Sequence, residues 1–471
     1  MVHLLGRRVI MTDESEITEN NVVNVLQKAL PTHYINRAEI QYLWEYYKGN
    51  QPILNRTKQV RPEINNMIVE NRANEIVSFK TGYLMGEPLQ YVSRGSSKEI
   101  NEAINQLNEY VFAEEKSAKD KELADWFHIC GTAFRMVLPD DTEDEDESPF
   151  EVFTLDPRNA FVVYHNGLGH KPVLGVKYVV DEHGVIHYSC YTQHLYFEIV
   201  EGNIIQAYPH VLGEIPIIEY PLNIARIGAF ELVIPLLDAI NLTDSNRVDG
   251  VEQFIQALML FHNVDINTED YEKLREQGAI KFKDIDTTMK GDIQYLISNL
   301  NQGETQVLID HMYQTVLTIC GMPNRNGGSS TSDTGTAVIF RDGWSAAEAR
   351  AKDSEEMFKQ SERKFLRLIL NICSAIRGMN LKVCNVQIRF TRRNYENILQ
   401  KAQVLDLMLK NKGIHPRLAF EHCGLFVDSE LAYSMSEEYV KEQEAKVQEL
   451  MEKEVKPEDG LETDPGDEGA D

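Results

Sequence analysis

The 471-residue sequence has no C-x-x-C pair; its cysteines stand apart at 130, 190, 320, 373, 384 and 423. A zinc site therefore lacks its usual ligand spacing, and reduced, buried thiols in a cytosolic setting are expected instead. The pairs His128/Cys130 and His422/Cys423 could each be half of a metal site, but neither has a second half. No uncharged apolar run reaches about 18 residues, so no membrane span is expected. The start, MVHLLGRRVIMTDE, has too short an apolar stretch for a secretory signal. There is no G-x-S-x-G elbow and no H-E-x-x-H helix, and the glycine-rich run 326–335 lacks the lysine of a phosphate-binding loop. Positive charge is also scarce. Lys and Arg number 47 against 74 Asp and Glu, giving a net charge of −27, which excludes a broad basic face for gripping nucleic acid. The acidic run Asp140 to Glu147 has neither the glycine nor the spacing of a calcium loop. No catalytic residue, cofactor or metal is predicted.

What is present is a long chain of ordinary apolar content, enough for two to four domains and a substantial core. The longest helix-like run is Ala337 to Gly378. Phe358, Phe365, Ile369, Ile372 and Ile376 recur at helical spacing on one face, with charged residues between them. Helical throughout, that run would span about 60 Å. It follows the loop Arg325 to Gly335, rich in glycine, serine and threonine. A loop feeding so long a beam points to a spine or machine part more than to an active site.

Earlier in the chain, residues 1 to about 30 look like a poorly anchored arm with a short helix, Asn21 to Ala29. Helices are predicted at Arg37 to Lys48, Asn65 to Thr81, Ser97 to Phe112 and Glu114 to Cys130, with short strands at Leu89 to Val92 and Thr132 to Leu138. From Phe150 to Tyr220 the pattern turns to short β-rich pieces punctuated by turn signals, a meander or small sheet. Leu232 to His262 is a second long helix, with Pro235 tolerated in its first turn. Asp238, Ser245, Asp249 and Glu252 share one of its faces. That stripe is either a solvated surface or an acidic lining facing a channel. A small α/β excursion follows from Asp265 to Leu300: a helix at Glu269 to Gln277, then a hairpin of Ala279 to Ile285 with Asp292 to Ile297. Lys281, Lys283 and Lys290 make a local positive patch there. Glu304 to Gly321 is a return helix, with Leu308, Met312, Thr315 and Ile319 on one face. After the spine come a strand at Cys384 to Thr391 and helices at Asn394 to Lys410, His415 to Cys423 and Ser429 to Glu454. The tail from Val455 is disordered by composition.

Several stretches match a known family. Tyr46-Tyr47-Lys48-Gly49 is followed by Ile53 and Arg56, then Asn65-Asn66, Asn71, Ile76-Val77 and Gly82-Tyr83-Leu84-Met85-Gly86-Glu87-Pro88. With the order helix, α/β insert, return helix, loop and long helix, the chain resembles the portal proteins of tailed bacteriophages, the group found in siphophages of Gram-positive hosts. The similarity covers about residues 37 to 430.

The resemblance implies an α+β fold, mostly helical, with a β-rich wing. Its parts would be a wing at 1–230, a stem helix at 231–264, a clip at 265–300 and a return stem helix at 301–324. A tunnel loop at 325–336, a wing spine at 337–393, a crown at 394–454 and an acidic tail at 455–471 would complete it. It implies a non-enzymatic ring of about twelve copies at one capsid vertex, conducting double-stranded DNA without sequence specificity during packaging and ejection. The terminase large subunit, a head-completion adaptor, and the major capsid and scaffolding proteins would be its partners. It would reside in the virion, and in the host cytoplasm during assembly. Asp238, Ser245, Asp249 and Glu252 would line the channel, where like charge keeps DNA from sticking. Arg325, Asn326, Gly327, Gly328, Ser329, Ser330, Thr331 and Ser332 would form a tunnel loop touching DNA. Lys281, Lys283 and Lys290 would meet DNA or an acidic partner, and Arg363 and Arg367 a neighbouring subunit. Two alternatives are a non-portal scaffold or adaptor built on the long helices, and a metal-dependent nuclease using the acidic clusters.

Overall fold

The structure is a computed structural model that describes residues 6–94, 97–140, 147–255, 258–265, 283–284, 292–296, 302–324, 343–391, 398–426 and 429–454. Along the chain the first elements are β1 (Ile10–Thr12), α1 (Val22–Lys48), α2 (Arg72–Leu84), β2 (Gln90–Ser93), α3 (Lys98–Ala113) and α4 (Lys116–Cys130). A β-rich stretch follows: β3 (Thr132–Pro139), β4 (Phe150–Leu155), β5 (Ala160–His165), β6 (Pro172–Val180), β7 (Ile186–Tyr191), β8 (Leu195–Val200), β9 (Asn203–Pro209) and β10 (Ile217–Pro221). Then come α5 (Ile234–Ile255), β11 (Leu258–His262), β12 (Val264–Asp265), β13 (Lys283–Asp284), β14 (Asp292–Leu296), α6 (Gln302–Cys320) and α7 (Trp344–Arg377). The last elements are β15 (Val386–Arg389), α8 (Ile398–Lys410), α9 (Pro416–His422) and α10 (Ser429–Glu454). The class is α+β. The chain divides into two compact units, Met1–Gly86 with Tyr110–Met379, and Glu87–Glu109 with Asn380–Asp471.

The first unit holds a six-stranded sheet in the order β1-β5-β6-β7-β8-β9 and a three-stranded sheet β10-β3-β4. Strands β5 to β9 form the expected antiparallel meander. β1 adds to β5 in parallel, with Ile10 opposite Val163. The N-terminal arm is therefore anchored, contrary to expectation. Arg7 is buried and paired with Glu39 and Glu231 at 3.1 and 2.7 Å, interactions that no local sequence pattern announces.

The two helices expected at 21–29 and 37–48 are one, α1, running through Pro31. Proline removes one helical hydrogen bond and crowds the preceding turn, at a cost of about 3 kcal/mol. Burial outweighs that cost. Val22, Val25, Leu26 and Ala29 pack on Val163, Leu174, Val176, Phe197 and Ile199 of the sheet. Each Val or Leu among them contributes roughly 1.5–3 kcal/mol when fully buried. Gly49, left-handed at φ 98°, ends the helix. Gly131 ends α4 in the same way, and a Cβ there would lie 2.3 Å from the Arg226 carbonyl oxygen.

The spine helix behaves as its periodicity predicts. Phe358, Phe365, Ile369 and Ile372 are buried, and only Ile376 lies substantially in solvent. Its described length is 34 residues, about 51 Å; residues 337–342 lie outside the described part.

Three other expectations need correction. The helix placed at Asn65 to Thr81 begins only at Arg72, and residues 65–71 run outside any helix or strand. The helix placed at Leu232 to His262 ends at Ile255, and Leu258–His262 is a strand pairing antiparallel with Asp292–Leu296. Its run Leu-Met-Leu-Phe is apolar on every side, so periodicity could not separate helix from strand. The hairpin expected between 279–285 and 292–297 is also absent from the described pairs. Lys283–Asp284 pairs with Val264–Asp265 instead. The helix expected at 269–277, the acidic run 141–146 and the tail from 455 lie outside the described residues.

In the second unit, β15 pairs antiparallel with β2, Ile388 opposite Tyr91. The Asn108 amide donates to the Tyr91 carbonyl at 2.9 Å. α9 and α10 meet through Phe420, which contacts Phe426 and Tyr433, and through Arg417 paired with Glu430 at 2.8 Å.

Candidate functional site

The four residues expected to line a channel lie on α5, and the structure covers two of them, Ser245 and Asp249, with the chain itself. Residues 51–71 run against this helix as a strap. Three backbone N–H groups of the strap, at alternate residues, donate to side chains one helical turn apart. Asn66 N–H donates to Asp249 Oδ1 at 2.8 Å, Ile68 N–H to Ser245 Oγ at 3.0 Å and Glu70 N–H to Asn241 Oδ1 at 3.0 Å. The registers match for a simple reason. Two extended residues advance about 6.8 Å, and four helical residues about 6 Å. Unpaired N–H groups of a packed extended segment would each cost about 1–3 kcal/mol, and the helix supplies their acceptors.

Further contacts close the strap at both ends. Asp249 Oδ2 meets Lys58 Nζ at 2.9 Å and Arg56 Nη2 at 3.1 Å. The Asn66 amide reaches both Asp249 and Glu252, at 2.9 and 3.0 Å. At the other end the Tyr46 hydroxyl donates to Asp238 at 2.9 Å. The Asn71 amide donates to the Tyr47 carbonyl at 3.0 Å, from a left-handed backbone at φ 46°.

Burial opposes the charge on Asp249, but the Asn66 N–H, the Lys58 ammonium and the Asn66 amide outweigh it, holding the carboxyl below its usual range. Asp238 goes the other way: burial raises it, against the Tyr46 hydrogen bond. Burial, reinforced by the Asp238 carboxylate, keeps the Tyr46 phenol protonated.

This placement corrects the expected channel stripe at Ser245 and Asp249, while Asp238 and Glu252 stay half-buried. Ser245 and Asp249 are 0% and 3% exposed, and Asp238 and Glu252 are bonded to the same chain. At Asn241, Ser245 and Asp249 the face is polar because it reads a backbone. Asn241, Asn66, Arg56 and Lys58 complete it and were not singled out. The signal was there in steps of four at 241, 245 and 249, but it showed only half of the pairing.

α5 and α6 pack together. Ile309, Val316, Leu317 and Cys320 are the buried residues of α6, so the face predicted from Leu308 and Ile319 is the outer one, with both substantially exposed. Between α2, α5 and α6 lies a polar cavity of about 400 Å³. Arg72 stacks over the Tyr313 ring at 4.1 Å, and the Tyr313 hydroxyl donates to Glu75 at 2.9 Å. Arg247 contacts Asp244 at 3.5 Å and the Gln306 amide oxygen at 2.8 Å. Burial and a hydrogen bond with the neighbouring Glu70 carboxyl raise Asp244 to about 6. Met322, Pro323 and Asn324 line the same cavity, at the root of the expected tunnel loop. Arg325 to Ser332, Lys281 and Lys290 lie outside the described residues, and Lys283 is placed only as part of β13. Arg363 and Arg367 are exposed on the spine, Arg367 lying 3.4 Å from Glu214. Among the described residues no group of three or more His, Cys, Asp or Glu side chains could hold a metal ion, and no helix is long and apolar enough to cross a membrane.

The end of α1 and the strap carry much of the motif noted in the sequence: Tyr46 and Gly49 on the first, Ile53, Arg56, Asn65, Asn66 and Asn71 on the second. The profile of one protein family, the phage portal proteins like SPP1 Gp6, matches residues 27–453. The chain belongs to this portal family. Its function is accordingly that of a phage portal protein. No curated protein matches. Among solved structures, a chain in the neck of an empty GTA particle, computed with C6 symmetry, is similar at 11% identity and a TM-score of 0.40. The match covers 75% of this chain and 90% of that one. In this portal protein the strap fixes α5, and α5 carries α6.

Proposed function

We propose that the chain assembles as a ring of about twelve copies at one capsid vertex, through which double-stranded DNA passes during packaging and ejection. The observation that carries this reading is the family match across 27–453, nearly the whole folded chain. In it α5 and α6 are the stem, 265–300 the clip, 325–336 the tunnel loop, α7 the wing spine and 394–454 the crown. The terminase large subunit and a head-completion adaptor dock on the clip, and capsid and scaffolding proteins surround the wing. The reading is non-enzymatic: the protein guides DNA and catalyses nothing. It acts in the virion, after assembly in the host cytoplasm. Lys281, Lys283 and Lys290, with Arg325 to Ser332, supply contacts to DNA or to acidic partners.

The strapped helix gives this reading a mechanical basis. A stem loaded by moving DNA needs helices held to the wing, and α5 is held by hydrogen bonds spaced along three turns. On the spine, Arg363 and Arg367 face a neighbouring copy. Electron microscopy of the purified protein tests the reading. Rings with a central bore are expected, near twelve times 53.9 kDa, about 650 kDa. A protein that stays monomeric, also with its scaffolding and capsid partners present, overturns the ring. Arg363→Glu is expected to lower the ring fraction; unchanged assembly returns that face to solvent.

A further inference from the structure

The outermost strand of the six-stranded sheet, β9, is unlike its neighbours. It ends the order β1-β5-β6-β7-β8-β9, so one side of its backbone has no strand partner among the described residues. Its sequence, Asn-Ile-Ile-Gln-Ala-Tyr-Pro, carries no charge, and six of its seven residues are exposed. Tyr208 is 51% exposed and Ile205 60%, and Val211 just beyond is 93% exposed. Ile205 is the extra residue of a bulge, between the pairs Ile199 with Ile204 and Glu198 with Gln206. From Gln206 to Pro209 the ladder is regular. Edge strands are usually protected by lysine, an internal proline or a covering element, because unpaired N–H and C=O groups recruit another strand. Here proline stands only at the end, and there is no lysine.

The segment that forms this edge carries charge of one sign. From Tyr178 to Ala225 the chain contains six carboxylates and no Lys or Arg. Glu219 is paired with Arg226 and Glu214 with Arg367. Asp181, Glu182, Glu198 and Glu201 remain, and the ion pairs of Asp181 and Glu198 are to His187. Glu198 lies directly across from Gln206, one strand in from the free edge, and Glu201 sits in the turn that opens β9. On the same face, the Tyr196 and Tyr208 rings lie tilted to one another with centroids 4.6 Å apart.

We propose that the β9 edge is a docking site for an extended, basic segment of a protein partner, added to the sheet as a further strand. Backbone hydrogen bonds to Gln206–Pro209 give the attachment. Lysine or arginine at alternate positions reaches Glu198 and Glu201, and an aliphatic stem of one of them covers Tyr208 on the same face. This is strand addition, in which main-chain bonds supply affinity and alternate side chains supply specificity. The sign of the field argues against nucleic acid. It also argues against a second copy of β9, which would bring Glu198 and Glu201 against their own counterparts.

The probe is a blocked seven-residue peptide alternating lysine with valine, added to the assembled full-length protein. Amide hydrogen exchange is followed across 203–209. Exchange there is expected to slow by about tenfold or more with this peptide. It should not slow with the same peptide fully N-methylated, nor with a version alternating glutamate and valine. Glu198→Gln should weaken the protection several-fold while leaving exchange without peptide unchanged. Equal binding of the N-methylated peptide would show charge attraction without strand addition and overturn the proposal. Protection, before any peptide is added, of the amides within 203–209 that do not bond to β8 would mean a neighbouring copy already covers the edge, and would also overturn it. So would the absence of any protection.

Discussion

Asp249 and Glu362 are both buried carboxylates on long helices, and they are paired by different means. Asp249 accepts from a backbone N–H and an amide of the strap and meets two cations that are partly in solvent, Arg56 and Lys58. Glu362 sits in a closed square of side chains. Lys116 Nζ lies 2.8 Å from Glu362 and 2.7 Å from Asp120, and Arg135 bridges the same two carboxylates. The Tyr220 hydroxyl adds a bond to Glu362 at 2.7 Å, and the Arg135 guanidinium lies over the Tyr220 and Phe365 rings. All four charged side chains of the square are at most 5% exposed. The first arrangement fastens one segment to one helix. The second locks α4, β3 and α7 together. A backbone clamp can release locally, whereas a buried square cannot lose one member without leaving an uncompensated charge.

The largest effect expected from breaking this contrast is at Arg135. Arg135→Ala leaves Asp120 and Glu362 buried with one cation between them and should cost about 3–5 kcal/mol of global stability. Denaturant unfolding of the full chain measures it, and a loss below about 1 kcal/mol would show that the square is not closed. Asp249→Asn keeps an acceptor for the strap but loses the charge facing Arg56 and Lys58, a cost of about 1–3 kcal/mol. Its signature should be local. Proteolytic nicking within 51–71 should rise before the sheet unfolds, and a purely global transition would refute the clamp. The smallest effect concerns Asp244. Its carboxyl is raised from 3.8 to about 6, so the folded state binds the extra proton between those values. The stability from that proton is complete below about 4 and is lost as pH rises through about 6. Asp244→Asn should flatten this slope of thermal stability with pH, and an unchanged slope would assign the titration to another group.

Much of the architecture was legible because its signal is local. The spine declared itself through Phe358, Phe365, Ile369 and Ile372, and the meander through alternation and turn residues. Where the prediction failed, two elements had to be known at once. Residues 65–71 carry a helix-like apolar pattern, yet their amides are claimed by Asn241, Ser245 and Asp249, about 170–185 positions away. The strand Leu258–His262 was hidden by apolarity on both faces until its partner, Asp292–Leu296, was in place. Arg7 looked like part of a loose arm because Glu231, its partner, lies 224 residues on.

The sequence by itself determined the class of fold, the spine helix, the acidic balance and the family, since periodicity, composition and motif spacing are properties of neighbouring residues. Only the tertiary structure decided what the polar stripe on α5 is for. A carboxylate at helical spacing has the same pattern whether it faces water, DNA or a backbone. The choice is made by the segment that packs against it, and here that segment is the strap.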